Sequence, residues 1–152
     1  MFRAAPRQVL SVEIGIMPSS SPIVLDANAW LAVLLNEENS DWVREIIEKR
    51  PLFAPELVRY EAANGLLYAS RKRRLALPKP TLKELFEVIG DFPIQIIPVN
   101  TWWNESTRLV QEYSLTFYDA SYVAVAIALE MPLLSLDEQI LDVMKREKVT
   151  RD

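Results

Sequence analysis

The chain has 152 residues, enough for one domain with a sizeable core, and a formal net charge of −4. It contains no Cys and no His, which excludes disulfides, thiolate chemistry, the usual zinc sites and imidazole acid–base catalysis. A metal site here would have to be built from oxygen ligands, and the acidic balance argues against a broadly basic nucleic-acid wrapper while leaving room for a local basic patch.

Residues 1–21 end in Ser19-Ser20-Ser21 and read as a loose arm or a single strand ahead of a domain at 22–152. The arm lacks the long hydrophobic centre of a secretory signal, and no apolar run reaches membrane-spanning length, so no membrane and a cytoplasmic address are expected. The first strand is read at 22–26, "PIVLD", with a short helix at 28–35 that breaks at "NEENS". A helix at 40–50 follows, capped by Ser40 or Asp41, with Trp42, Val43, Ile46 and Ile47 as its apolar stripe. "LFA" at 52–54 is a strand, and Pro55 is expected to open a long helix to about Leu75. "PKP" at 78–80 reads as a break before a helix that Thr81 caps and that runs through about Gly90.

"IQIIPV" at 94–99 is a strand, and Thr101 is expected to cap a helix to about Tyr113. "SLTFY" reads as a loop, after which Asp119 opens the most apolar helix, "ASYVAVAIALE", ended by Met131-Pro132. "LLSL" at 133–136 is a strand and Asp137 opens the last helix. Short Val/Ile/Leu-rich strands alternating with helices predict an α/β domain whose short parallel sheet is flanked by helices.

Asp26 and Asp137 then each follow a strand, and Asp119 starts a helix. In an open parallel sheet these positions share one edge, where ligands bind. Each aspartate also has a plainer reading as a helix cap. Glu61 does not fit a cap. It lies one turn into a helix within "VRYEAANGLL", among small and apolar neighbours, where a charge is costly unless paired or bound to a metal. Its plainer reading is a surface residue near Arg59. Two carboxylates ~4 Å apart repel by about 4 kcal/mol at an effective dielectric near 20, so converging acids call for a cation. Such an ion can also activate water and polarise a phosphoryl oxygen.

Three stretches, "IVLDANAWLAVLL", "PELVRYEAANGLL" and "LTFYDASYVAVAIALEMPLLSLDEQI", resemble in order and spacing the signature blocks of PIN domains, and most of all those of VapC-type toxin ribonucleases. The likeness runs from about Pro22 to the C-terminus. It implies a single PIN-like domain in which Asp26, Glu61, Asp119 and Asp137 are the catalytic and metal-holding acids. It also implies Mg2+ or Mn2+, RNA cleavage leaving a 5′-phosphate, and an antitoxin protein as partner. Asn28 and Ser135 are expected to orient a carboxylate or a bound water. Their plainer reading is local backbone capping.

The basic run "RKRR" at 71–74 offers Lys72 and Arg73 as phosphate contacts, or simply the solvated positive end of a helix. Trp42, Trp102 and Trp103 read as core or interface anchors in preference to base-stacking platforms. With half of its residues hydrophobic, the chain is expected to form a homodimer or higher oligomer through the Trp-bearing helices or the long helix at 55–75. The competing functions are a non-catalytic PIN-like module binding RNA or protein, a DNA nuclease, and a response-regulator-like domain. The last would want a lysine after a late strand, and none directly follows "IQIIPV" or "LLSL".

Overall fold

The computed structural model describes residues 20–38, 40–72 and 79–151, so the arm before residue 20 and the basic position Arg73 lie outside the described residues. The elements alternate as expected: β1 (Ile23–Leu25), α1 (Ala27–Leu34), α2 (Ser40–Lys49), β2 (Leu52–Pro55), α3 (Val58–Arg71), α4 (Lys79–Asp91), β3 (Gln95–Ile97), α5 (Trp103–Tyr113), α6 (Phe117–Ala128), β4 (Leu133–Leu134) and α7 (Glu138–Arg151).

Every strand pairing is parallel, in the order β3-β2-β1-β4. The sheet grows from β1 through β2 to β3 and then returns to the far side of β1 for β4. That reversal makes the gap between β1 and β4 a topological switch point, where such sheets open a crevice at their carboxyl ends. The register places Leu25 opposite Leu134, and the Asp26 N–H continues the ladder to the Leu134 carbonyl at 3.0 Å. The next residues along, Asp26 and Ser135, therefore leave the sheet side by side.

All three residues of β1 are fully buried, as a strand covered on both faces requires. On α6 the run from Ala120 to Ala126 is buried, which explains why that segment reads as apolar all round. Gly65 on α3 has no side chain where a Cβ would strike Leu31 of α1, so these two helices can approach closely. At the far end of the chain, buried Glu147 of α7 accepts a hydrogen bond from Arg108 of α5, which also binds Glu105 and Glu112.

Several boundaries differ from the sequence reading. Pro55 ends β2 instead of opening α3: it pairs with Ile97, the Glu56 N–H beyond it reaches the Ile97 carbonyl at 2.9 Å, and its missing N–H does no harm at a strand end. Lys79 and Pro80 are already helical, so these two residues of "PKP" belong to α4 and not to a break before it, while Pro78 lies outside the described residues. Thr101 lies in a turn and Trp102 holds the N-cap position of α5. The helix carrying "ASYVAVAIA" begins at Phe117, two residues before Asp119, which was expected to open it.

Candidate active site

Four acids meet the carboxyl edge of the sheet by different routes. Asp26 follows β1 directly and is only 3% exposed. It occupies the N-cap position of α1, yet its carboxylate makes no capping bond of good geometry and feels only a weak pull from the Asn28 N–H. Its oxygen Oδ2 instead accepts the Ser135 hydroxyl at 2.7 Å. Asp119 sits in the first turn of α6, where the capping oxygen belongs to Thr116 and Asp119 supplies the N–H at 3.1 Å. The plain capping reading therefore fails for both aspartates. It holds for Asp137, whose Oδ1 accepts the N–H groups of Gln139 at 2.9 Å and Ile140 at 3.3 Å.

Glu61 projects from the first turn of α3 and accepts the hydroxyl of Tyr122 on α6 at 2.8 Å. Arg59, the neighbour that makes a surface pair the simplest alternative, donates elsewhere, to the carbonyls of Ile89 and Phe92 at 3.0 and 2.7 Å. Tyr122 is fully buried, so its hydroxyl needs a partner, and Glu61 provides it. Sequence reasoning misses this contact. The signal available was a tyrosine within an apolar helix, three residues after Asp119.

Asn28 and Ser135 tie the first and last strands together. The Asn28 Oδ1 accepts the Leu136 N–H at 3.0 Å, its Nδ2 contacts the Ser135 hydroxyl at 3.4 Å, and the Asp137 N–H donates to the Ser135 Oγ at 3.0 Å. Ser135 is completely buried. These contacts are tertiary as well as local, and they set Asp26 and Asp137 on a common frame.

The electrostatics show how closely the acids sense one another. Burial pushes Asp26 up from 3.8 to about 7, the Ser135 hydroxyl and a weak pull from the Asn28 N–H oppose this, and the charges of Asp119 and Glu61 raise it further. Burial also raises Glu61, with Asp119 adding to the effect and the Tyr122 hydroxyl opposing it. Asp119 is raised by burial and then by Asp137, with Thr116 opposing. Among the described residues no Lys or Arg forms an ion pair with any of the four.

A hard divalent ion fits this donor set. The donors are all oxygens, their charges repel, and no described Lys or Arg pairs with them. Glu61 uses Oε1 for Tyr122 and Asp137 uses Oδ1 for the helix start, which leaves each a second oxygen for a ligand. As the side chains stand, no group of three acids among the described residues is drawn in closely enough to hold an ion.

Lys72 does not join this cluster. It follows the last turn of α3, its Nζ 5.6 Å from the centroid of the Tyr68 ring. Helical rise puts it roughly 16 Å along the axis from Glu61.

A PIN domain family model matches residues 23–146, a span that includes all four acids. The chain belongs to the PIN domain family. Within that family it is similar to Ribonuclease VapC3 of Pyrobaculum aerophilum, with 29% identity over 124 residues, covering 79% of this chain and 92% of that protein. It is also similar to Ribonuclease VapC9 of Mycobacterium tuberculosis, with 32% identity over 125 residues, covering 79% of this chain and 89% of that one. The crystal structure of PAE2754 from Pyrobaculum aerophilum superposes with a TM-score of 0.57 at 26% identity, covering 89% of this chain and 87% of that one. These relatives place the PIN domain here among VapC-type proteins. Among the described residues no helix is long and apolar enough to cross a membrane.

Proposed function

We propose that this PIN domain is a Mg2+- or Mn2+-dependent endoribonuclease and the toxin of a toxin–antitoxin pair. The observation that carries the reading is the set of acids at the β1/β4 switch point that no described Lys or Arg pairs with, Asp26 among them buried and raised to about 7. The names of the relatives, ribonucleases of the VapC type, supply the substrate.

Asp26, Glu61, Asp119 and Asp137 would hold one or two ions. A divalent ion there supplies Lewis acidity toward a phosphoryl oxygen and lowers the pKa of water, which a chain with no His needs from some source. Ser135 and Asn28 orient the acids and touch no substrate. The Ser135 hydroxyl fixes the rotation of Asp26, and Asn28 holds the backbone of Leu136 ahead of Asp137. Tyr122 holds Glu61 in the same way. Water attacks phosphorus in line and the 3′-oxygen leaves, so the 5′-phosphate stays on the downstream product.

The toxin role brings an antitoxin whose basic or aromatic anchor covers the acid pocket, and a cytoplasmic address. Lys72 is the weaker candidate for a phosphate contact, Arg73 being its neighbour in the same basic run. Self-association as a dimer or higher is assigned to the outer face of α3 around Tyr68, which is 59% exposed.

Crystals soaked in Mn2+ test the site. Anomalous density bounded by Asp26, Glu61, Asp119 and Asp137 is expected. Density elsewhere, with none at the switch point, would remove the metal role from these residues.

A further inference from the structure

Among the described residues, most of the large apolar side chains left exposed are aromatic, and most of those lie near the acids in sequence or pack against a residue that does. Trp103 is 54% exposed, Phe117 43%, Tyr118 54% and Tyr60 73%. Tyr118 immediately precedes Asp119, and Tyr60 immediately precedes Glu61. On a helix one residue is a step of roughly 100°, so each tyrosine stands on the shoulder beside an acid that belongs to the site. Trp103, at the first turn of α5, lies flat against Phe117, at the first turn of α6, with ring centroids 4.9 Å apart and planes 10° from parallel.

This arrangement is not core packing. Trp42 and Trp102 pack against the core, as anchors do. Trp103 does not, so of the two roles expected for the tryptophans, core or interface anchor, it does not fill the first. Holding a half-exposed indole and phenyl ring face to face leaves apolar aromatic surface in water, which stacking with another ring would cover.

The acids narrow what that ring can be. A polynucleotide approaching four carboxylates is repelled through its phosphates wherever no metal sits. Affinity for the parts of the strand beyond the scissile linkage must come from something uncharged, and every base has a π-face that stacks on an aromatic ring. A paired base is already stacked and is not available.

We propose that Trp103, Phe117 and Tyr118 form a stacking platform for an unpaired base beside the scissile phosphate, with Tyr60 offering a second stacking face on the α3 shoulder. The inference rests on the ribonuclease reading above and deepens it. The platform selects single-stranded over duplex RNA by stacking, without reading base identity.

The test is steady-state cleavage of one unpaired RNA strand, of the same strand carrying abasic positions around the cut, and of its duplex, by wild type, Trp103→Ala, Tyr118→Ala and Tyr118→Phe. Both alanine variants should lose roughly 5- to 150-fold in kcat/KM on the intact strand, mainly as a rise in KM, with melting temperature unchanged. On the abasic strand the alanine variants should match wild type, and Tyr118→Phe should retain activity on both. Quenching of tryptophan fluorescence by unpaired RNA in EDTA should largely disappear in Trp103→Ala, a readout independent of turnover. Equal losses on intact and abasic strands would overturn the platform, as would unchanged kinetics. So would a wild-type dimer in sedimentation that Trp103→Ala separates, since the rings would then belong to a second copy. A wild type that cleaves RNA while the aromatic variants behave normally removes the platform alone. A wild type that neither binds nor cleaves RNA removes the ribonuclease reading and the platform with it.

Discussion

Ser135 donates its hydroxyl proton to Asp26 at 2.7 Å across 109 residues of sequence, inside a site where both side chains are buried. Parallel pairing of β1 with β4 makes this contact possible, because the residue after each strand emerges on the same edge. One hydroxyl therefore connects the switch-point topology to the chemistry of the acid it orients.

The acidity of Asp26 predicts an unusual pH dependence of metal-free stability. Its carboxyl titrates near 3.8 in the unfolded chain and near 7 in the fold, chiefly through burial. Between those values the folded state holds the proton that the unfolded state has released. Stability must fall as pH rises from about 4 to about 7, by on the order of a few kcal/mol. Urea unfolding in EDTA should show this slope. Asp26→Asn should flatten it and raise stability at pH 8. A metal-free protein that grows more stable across that range contradicts the assignment.

Divalent metal should reverse the trend. An ion that binds only the folded state raises the melting temperature, the stabilisation growing with the logarithm of its concentration over Kd, and it needs deprotonated carboxylates. The shift with Mn2+ should be large at pH 8 and small at pH 5.5. Thermal melts at millimolar ion check this, and a wild type indifferent to Mg2+ and Mn2+ at pH 8 counts against the site.

The Tyr122 hydroxyl predicts a separable effect. Tyr122→Phe removes one hydrogen bond to the Glu61 carboxylate and little volume. A bond to a charged group contributes about 1.5–3 kcal/mol, so the variant should be destabilised by about that much in EDTA. Because Glu61 also loses the contact that fixes its rotation, Mn2+ affinity should change as well. An unchanged unfolding midpoint would show that the bond does not form in solution.

Ser135→Ala should weaken metal affinity or activity by roughly 10- to 100-fold, as loss of a group that orients a ligand does, and by less than Asp26→Asn. Metal titration of the two variants side by side gives the order. A Ser135 variant as impaired as the acid variant would mean that the hydroxyl does more than orient.

Much of this architecture is readable from residues alone, and the exceptions have physical causes. An apolar triplet ending in Asp26 and a second ending near Asp137 define the sheet edge, because strands covered on both faces must be apolar until they stop. Asp119 was harder to place. An aspartate before an apolar helix looks like a cap, and only the structure shows Thr116 in that role three residues earlier. Pro55 misled for a related reason, since proline suits the first helical turn and a strand end equally. The Tyr122–Glu61 contact joins α6 to α3, and no local pattern reports a partner 61 residues away. The exposure of Trp103 was likewise hidden, because its neighbour Trp102 packs inward and the pair reads as one apolar step.

Cleavage of an unpaired RNA, with the product ends mapped in Mg2+, Mn2+ and EDTA, tests most directly whether the four acids carry metal-dependent hydrolysis. Products with a 5′-phosphate and a 3′-hydroxyl are expected, lost in EDTA and lost in Asp119→Asn. Products ending in a 2′,3′-cyclic phosphate would contradict it, because that ending arises from attack by the RNA's own 2′-hydroxyl and not by water.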